Sequence, residues 1–236
     1  MNCKILYIVV IYGVSREQSA AWKALQTCLP ETEKQDIYVR DNNVQNVYLA
    51  QAYNEGVSYA LSRGYSHVVL LDHDACLSKA YIHALHQALA CDAKSVWVPT
   101  LLSEKGERLS PFRRWGMTVA FNSGMMLPLP VIQAFGGFNP AYPLDYLDHW
   151  VCYRLAQCRV EVRTLPVSMT HVLSVSDYSR VTEWRYKSLL EAEKRFAHEV
   201  GRVGEYKILL LCRLVKWILT RHPFVRETGE ALLAHD

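Results

Sequence analysis

Carboxylates stand at several points of the chain where a strand or a loop stops and a ligand could be met. The clearest case is His67-Val68-Val69-Leu70-Leu71-Asp72-His73-Asp74, an apolar run that ends abruptly in two acids with one residue between them. Carboxylate oxygens suit Mg²⁺ or Mn²⁺, and such ions usually complete their shell with phosphate oxygens of a substrate. The same residues also fit a strand followed by an acidic turn, because Asp is common at such places. A further acid, Asp41, closes the short run Ile37-Tyr38-Val39-Arg40 and leads into Asn42-Asn43. Asp145 and Asp148 come just before an apparent helix from His149 to Cys158, where a carboxylate can also cap the backbone amides of the first turn.

The elements around these acids read as alternating strands and helices. Val68 to Leu71, between Gly64 and Asp72, fits a strand buried on both faces. Ligands of open α/β sheets bind beyond the carboxyl ends of such strands, where acids are not forced into the core unpaired. Ile5 to Ile11 reads as a first strand, and Tyr12-Gly13-Val14-Ser15 as the turn into a helix that Pro30 stops. Tyr48 to Arg63 follows as a helix ended by Gly64. Ser78 to Ala90 is a helix, and Ser95 to Thr100 a strand that Pro99 makes an edge or a strand end. Leu102 to Arg114 is expected as a mobile polar loop, Phe121 to Leu127 as a strand containing Asn122-Ser123-Gly124, and Pro128 to Phe135 as a short helix. Arg159 to Leu165 is a last strand, followed by Pro166 and then Met169-Thr170-His171. The implied class is α/β, a mostly parallel twisted sheet flanked by helices.

A chain of 236 residues that is 50% hydrophobic can bury a substantial core. A net charge of +3 is too small an excess to argue for nucleic acid. Seven cysteines without a Cys-x-x-Cys pair fit neither a disulfide framework nor a zinc site, so a reducing cytosol is expected. The apolar run after Lys4 is short and lacks a small-residue cleavage site, which favours a strand over a secretory signal. His83 and His86 share a helix face without a third ligand nearby and read as exposed. From Asp177 onward the pattern is helical, so the chain is expected to divide into residues 1–176 and a C-terminal helical extension over 177–236. Within Tyr206 to Thr220, Ile208, Leu211, Cys212, Val215, Ile218 and Leu219 share one face; Lys207, Arg213, Lys216 and Arg221 lie on the other side, with Leu209, Leu210 and Trp217. That helix packs on the first domain or a partner, or lies on an anionic membrane surface.

In their order and spacing, Val39-Arg40-Asp41-Asn42-Asn43, Asn54-Glu55-Gly56, Leu70-Leu71-Asp72-His73-Asp74, Ser123-Gly124-Met125-Met126, Gly136-Gly137-Phe138-Asn139 and Asp145-Tyr146-Leu147-Asp148-His149-Trp150-Val151-Cys152-Tyr153-Arg154 form one series. It resembles the family 2 glycosyltransferases of the GT-A fold, in particular their rhamnosyltransferase-like branch, over most of residues 5–175. The resemblance implies that Asp41 accepts a hydrogen bond from N3–H of uracil or thymine. It implies that Asp72 and Asp74 form an Asp-x-Asp motif for Mn²⁺ or Mg²⁺, with His171 as another ligand, and that Asp148 is the catalytic base. The commonest pattern has Glu at the position of Leu147, whereas Asp145 sits two residues further back as in the branch, so Asp145 is the second candidate. Tyr12, Asn43, Asn54, Ser123 and Gly124 are expected around the donor, and Arg113 at its diphosphate.

The activity so implied is metal-dependent, inverting transfer of a sugar from a nucleotide-diphosphate donor, with dTDP-rhamnose ahead of UDP-hexose or UDP-galactofuranose. The acceptor is expected to be a lipid-linked oligosaccharide of a bacterial surface polysaccharide such as O-antigen or capsule, met at the cytoplasmic face of the inner membrane. Two other classes stay open. A nucleotidyltransferase shares the layout but usually shows a Gly-rich basic loop after the first strand, which Tyr12-Gly13-Val14-Ser15-Arg16 matches poorly. A catalytically silent module could bind sugar nucleotides and help to assemble other enzymes.

Overall fold

The computed structural model describes residues 3–171 and 181–234. The chain divides into two compact units, residues 1–172 and 173–236. The boundary expected between 176 and 177, and the helix start expected at Asp177, lie outside the described residues.

The first unit contains β1 (Ile5–Ile11), α1 (Ala20–Cys28), β2 (Ile37–Asp41), α2 (Tyr48–Ser62), β3 (His67–Asp72), α3 (Lys79–Cys91), β4 (Val96–Leu102), β5 (Arg108–Ser110), β6 (Phe112–Arg114), β7 (Met117–Val119), β8 (Met125–Pro128), α4 (Leu129–Ala134), α5 (Leu147–Gln157) and β9 (Val162–Thr170). The main sheet has the order β2-β1-β3-β8-β4-β5, with β9 also paired to β4. β1, β2, β3, β4 and β9 run one way, and β5 and β8 run against them. The mostly parallel α/β arrangement expected from the alternating pattern is the one found.

Every residue of β1 is buried, as is β3 up to Leu71, so both read as unbroken apolar runs. Burying each such side chain contributes about 1.5–3 kcal/mol. α2 lies close on β1 because Gly56 has no side chain: a Cβ there would stand 2.7 Å from Cδ1 of Ile8. In register, Ile11 faces Asp41 and Val10 faces Asp72, which sets the carboxyl ends of β2, β1 and β3 side by side.

Several expected elements differ. β4 is not an edge strand: it pairs with β8, β5 and β9. Pro99 is accommodated because the β4–β9 register shifts between Val98 and Thr100, where the ladder does not call on its missing N–H. Pro166 falls within the same irregularity, so β9 continues to Thr170 instead of stopping at Leu165. The segment from Leu102 to Arg114 is not a mobile loop but holds β5 and β6. Ser103 N–H donates to Glu107 O at 2.8 Å across a turn with Gly106 at φ 79°, and β6 pairs with β7 as a separate hairpin. β8 begins only at Met125, because Asn122 to Gly124 is a turn closed by Met125 N–H on Asn122 O at 2.9 Å. α5 starts at Leu147, which places Asp148 inside its first turn instead of ahead of it.

The second unit contains α6 (Glu183–Glu199), α7 (Val203–Thr220) and α8 (Val225–Leu233). Its core is aromatic: Tyr186 stacks on Phe224 with centroids 4.4 Å apart and meets Trp217 at 5.0 Å. Arg213, expected with the basic residues opposite the apolar face, is not surface charge: its guanidinium turns inward to Glu193, with contacts of 2.9 and 3.1 Å. Leu210 and Trp217 are buried on that side, while Ile208, Leu211, Val215, Ile218 and Leu219 are each about half exposed or more. Among the described residues no helix is long and apolar enough to cross a membrane.

Candidate active site

Asp72 is the last residue of β3, and Asp74 follows in a turn that Ala75 N–H closes on Asp72 O at 3.1 Å. The turn is anchored from α1: the carbonyl of His73 accepts from Ser19 Oγ at 2.8 Å and from Ala21 N–H at 3.1 Å. Ser19 also caps α1, so one side chain sets both the helix start and the acid turn. His171 arrives from the end of β9, its N–H donating to Leu102 O at 2.9 Å. One ligand atom each of Asp72, Asp74 and His171 lie within 4.8 Å of one another.

Two carboxylates and an imidazole are a donor set that suits Mn²⁺ or Mg²⁺. Nδ1 of His171 is buried without a hydrogen-bond partner among the described residues, an arrangement that costs free energy unless a ligand takes it. Burial pushes the Asp72 carboxyl above its usual range; His171 opposes this, the Asp74 carboxylate adds to it, His73 opposes it and Asp148 adds to it. These residues therefore fit a cation, which would relieve the repulsion among the acids.

Asp148 belongs to the same cluster, since its charge is felt at Asp72, at Tyr53 and at Cys152 one turn further along α5. The Cys152 thiol is pushed up to about 12, chiefly by burial. Asp148 is presented by Tyr146, the N-cap of α5, which adopts φ 62° and ψ 6°. Left-handed backbone costs a side-chain-bearing residue about 1–2 kcal/mol, so the conformation is held by its surroundings. Oδ1 of Asp148 accepts from its neighbour's backbone N–H at 2.7 Å and lies 2.8 Å from Nδ1 of the His149 ring. Asp145 lies half-buried in the turn before the helix.

The other candidates are placed unequally. Asp41 ends β2, and its Oδ1 accepts from Asn43 N–H at 2.9 Å. The Asn43 side chain binds the turn after β1, and Tyr12 in that turn is 58% exposed, available to stack on a planar ligand. Ser123 is buried and its Oγ has no partner among the described residues. Gly124 is required by packing: at φ 80° a Cβ would stand 2.8 Å from Cγ of Pro99, and its carbonyl accepts from Tyr81 Oη at 2.8 Å. Asn54 acts through backbone. Its Nδ2 donates to Phe138 O and its Oδ1 accepts from Phe138 N–H, both at 2.8 Å, so its amide is engaged at the turn after α4. Arg113 is held by its own hairpin through Gly116 O at 3.0 Å and Thr118 Oγ1 at 3.4 Å.

Tyr53 is the residue that sequence reasoning missed. Fully buried on α2, it packs on Phe138 with ring centroids 5.2 Å apart. Its hydroxyl makes no well-formed hydrogen bond among the described residues, and burial first, then Asp72, Asp148 and Asp74, push it well above the usual phenol range. It thus stands among the three acids. Only its position beside Asn54 could have drawn attention to it.

No family model matches this sequence, and no curated protein matches it. Among solved structures, GalNAc-T7 with UDP, GalNAc and Mn²⁺ is similar at a TM-score of 0.56 and 12% identity, over 81% of this chain and 48% of that one. S. aureus TarS is similar at 0.58 and 12%, over 98% of this chain and 46% of that one. Residues 1–349 of TarS in complex with UDP-GlcNAc give 0.58 and 13%, over 98% and 76%. The fold is that of the GT-A glycosyltransferases. The chain spans about half the length of GalNAc-T7 and of TarS. At these identities the likeness carries the GT-A fold alone; the acids and the imidazole that could do chemistry meet after β3 and β9.

Proposed function

We propose that this protein is a metal-dependent, inverting glycosyltransferase that uses a nucleotide-diphosphate sugar. The observation that carries the reading is the meeting of Asp72, Asp74 and His171, a set able to hold a divalent cation, with the Asp148 carboxylate in one cluster of a GT-A fold. A cation held there would stabilise the negative charge that grows on the departing diphosphate. Asp41 and Asn43 receive the nucleoside at the neighbouring strand tips, with Tyr12 beside them. Asp148 takes the proton of an acceptor hydroxyl as that oxygen bonds to the anomeric carbon. The bond from that carbon to the diphosphate oxygen breaks, and its electron pair leaves with the nucleoside diphosphate. A single displacement of this kind inverts the anomeric configuration.

Residues 1–176 are proposed as the catalytic domain and 177–236 as an accessory helical extension. The donor we put first is dTDP-rhamnose, on the Asp145-x-x-Asp148 spacing shared with the rhamnosyltransferase-like branch; the UDP-sugar complex of TarS makes UDP-GlcNAc the comparison donor. The acceptor is proposed to be a lipid-linked oligosaccharide in bacterial surface polysaccharide synthesis. That placement is supported by α7, whose exposed apolar arc has half-buried Lys207 on one flank and exposed Lys216 on the other, as on a helix lying on an anionic membrane.

Donor turnover in the presence of Mn²⁺, read as nucleoside diphosphate release across a panel of sugar nucleotides, tests the reading. Release that depends on Mn²⁺ and is lost in Asp74→Ala is expected; release unchanged in that variant would sink it, and pyrophosphate as the product would point to a nucleotidyltransferase.

A further inference from the structure

We propose that His149 is a positioning residue for the reaction, holding the Asp148 carboxylate so that one defined oxygen, Oδ2, receives the acceptor proton; this rests on the reading of Asp148 as the base. Two donors converge on Oδ1 of Asp148: the backbone N–H of His149 at 2.7 Å and the Nδ1 of its ring at 2.8 Å. Oδ2 has no hydrogen-bond partner among the described residues, and the Asp148 side chain keeps 20% of its surface exposed. A carboxylate pinned at one oxygen loses rotational freedom, and its unshared lone pairs then point in a fixed direction.

The imidazole is itself fixed. It is 8% exposed, stacks on the Tyr146 ring with centroids 4.4 Å apart and planes 29° apart, and meets the edge of Phe112 at 6.1 Å. Tyr146 is the left-handed N-cap of α5, so the unusual backbone there places the ring that clamps His149. Phe112 belongs to the β6–β7 hairpin and packs against Phe121 at 5.9 Å, and Phe121 packs against His171 at 6.4 Å. One row of rings therefore runs from the residue that orients the base to the residue that completes the cation set. For Nδ1 to donate to a carboxylate, the neutral ring must carry its proton on Nδ1, a tautomer that the contact itself selects.

The test separates hydrogen bonding from packing. His149→Phe keeps a ring between Tyr146 and Phe112 and removes the Nδ1 donor; His149→Asn loses the ring and keeps an N–H donor near the Nδ1 position. The expected result is a fall in kcat of about tenfold or more in His149→Phe, the scale of a weakened general base. Donor KM and Mn²⁺ affinity should be kept, and kcat should recover in His149→Asn to within about threefold of wild type, because a donor of similar reach is restored. Unchanged kcat in His149→Phe, or a loss in which KM and kcat move together and His149→Asn gives no recovery, would overturn the proposal. Nitrogen-15 shifts of the His149 ring in the unmodified protein give a readout that does not depend on any variant folding: Nδ1–H is expected, and Nε2–H would overturn it. Asp148→Asn distinguishes the two levels. If it retains full activity, the base assignment itself fails; if it is inactive while His149→Phe is not, only the role of His149 fails.

Discussion

The side-chain oxygen of Asn43 accepts the backbone N–H of Gly13 at 2.8 Å, while its Nδ2 donates to Val14 O at 2.8 Å, so one amide ties the tip of β2 to the turn after β1. Asp41 in turn accepts from Asn43 N–H, which links the proposed nucleobase acid to the same clamp. Asn43→Ala leaves these backbone groups to water. Because the site is exposed, the expected loss of stability is only about 1 kcal/mol. The larger expected effect is on binding: affinity for nucleoside diphosphate should fall about tenfold, and kcat at saturation much less. Calorimetric titration beside a urea melt checks both, and equal affinity in the variant and the parent would remove Asn43 from the site.

The acid cluster predicts a response to cations without any turnover. A cation that binds only the folded state at about 100 times its Kd stabilises by about 2.7 kcal/mol. Mn²⁺ should therefore raise the melting temperature of the unmodified protein by several degrees. Asp74→Ala and His171→Ala should each flatten that response, while Asn54→Ala, remote in its bonding from the cluster, should melt lower in both conditions yet keep the Mn²⁺ increment. A cation increment that survives in Asp74→Ala would mean that the ion binds elsewhere.

What the chain disclosed and what it withheld follow from the range of the interactions. β1 and β3 were legible because strands buried on both faces leave unbroken apolar runs, and the acids after β3 were legible because its run ends so sharply at Asp72. The pairing of Pro99 was not, since a proline reads as an edge unless the partner strand's register shift is known, and that shift is set by β9 more than sixty residues later. The segment now seen as β5 and β6 is polar and basic, which hid two hairpins, β4–β5 turning at Gly106 and β6–β7 turning at Gly116. Tyr53 is part of an ordinary helical apolar face in the sequence, and only the packing of α2 onto the sheet brings it within the influence of Asp72, Asp148 and Asp74. Arg213 looked like surface charge because Glu193, which turns it inward, lies on another helix.

His67 opens β3, and its ring bridges Ser66 Oγ at 2.9 Å and Ala93 O at 2.8 Å. Burial lowers its pKa below the ordinary value of 6.5, although the Ala93 carbonyl partly opposes this. The folded state therefore binds this proton less readily than the unfolded chain. Its stability is complete above about pH 6.5 and is lost progressively as pH falls from there through the folded pKa. Urea midpoints taken from pH 7.5 to 5 should fall, and His67→Gln, which can still bond Ala93 O, should show a shallower fall over the same window. Parallel slopes in the two proteins would show that His67 does not contribute to the acid sensitivity.

Glu193 and Arg213 test how the helical unit is held together. Glu193 is 1% exposed and receives the guanidinium at 2.9 and 3.1 Å, next to Tyr186, whose hydroxyl meets Thr228 Oγ1 at 3.0 Å. Two charges taken out of water attract strongly but also lose their hydration, so the pair as a whole adds little net stability, whereas either charge left alone is costly. Glu193→Leu and Arg213→Leu should each destabilise by about 3–5 kcal/mol, because each removes the opposite charge that offsets its partner's lost hydration. The double variant should be clearly more stable than either single one, a coupling of more than about 1 kcal/mol in a double-mutant cycle. Chemical denaturation followed by tryptophan fluorescence reads this directly, since Trp217 packs on Tyr186 in the same core. If the single losses simply add in the double variant, the two side chains act independently, and the unit does not depend on their pairing.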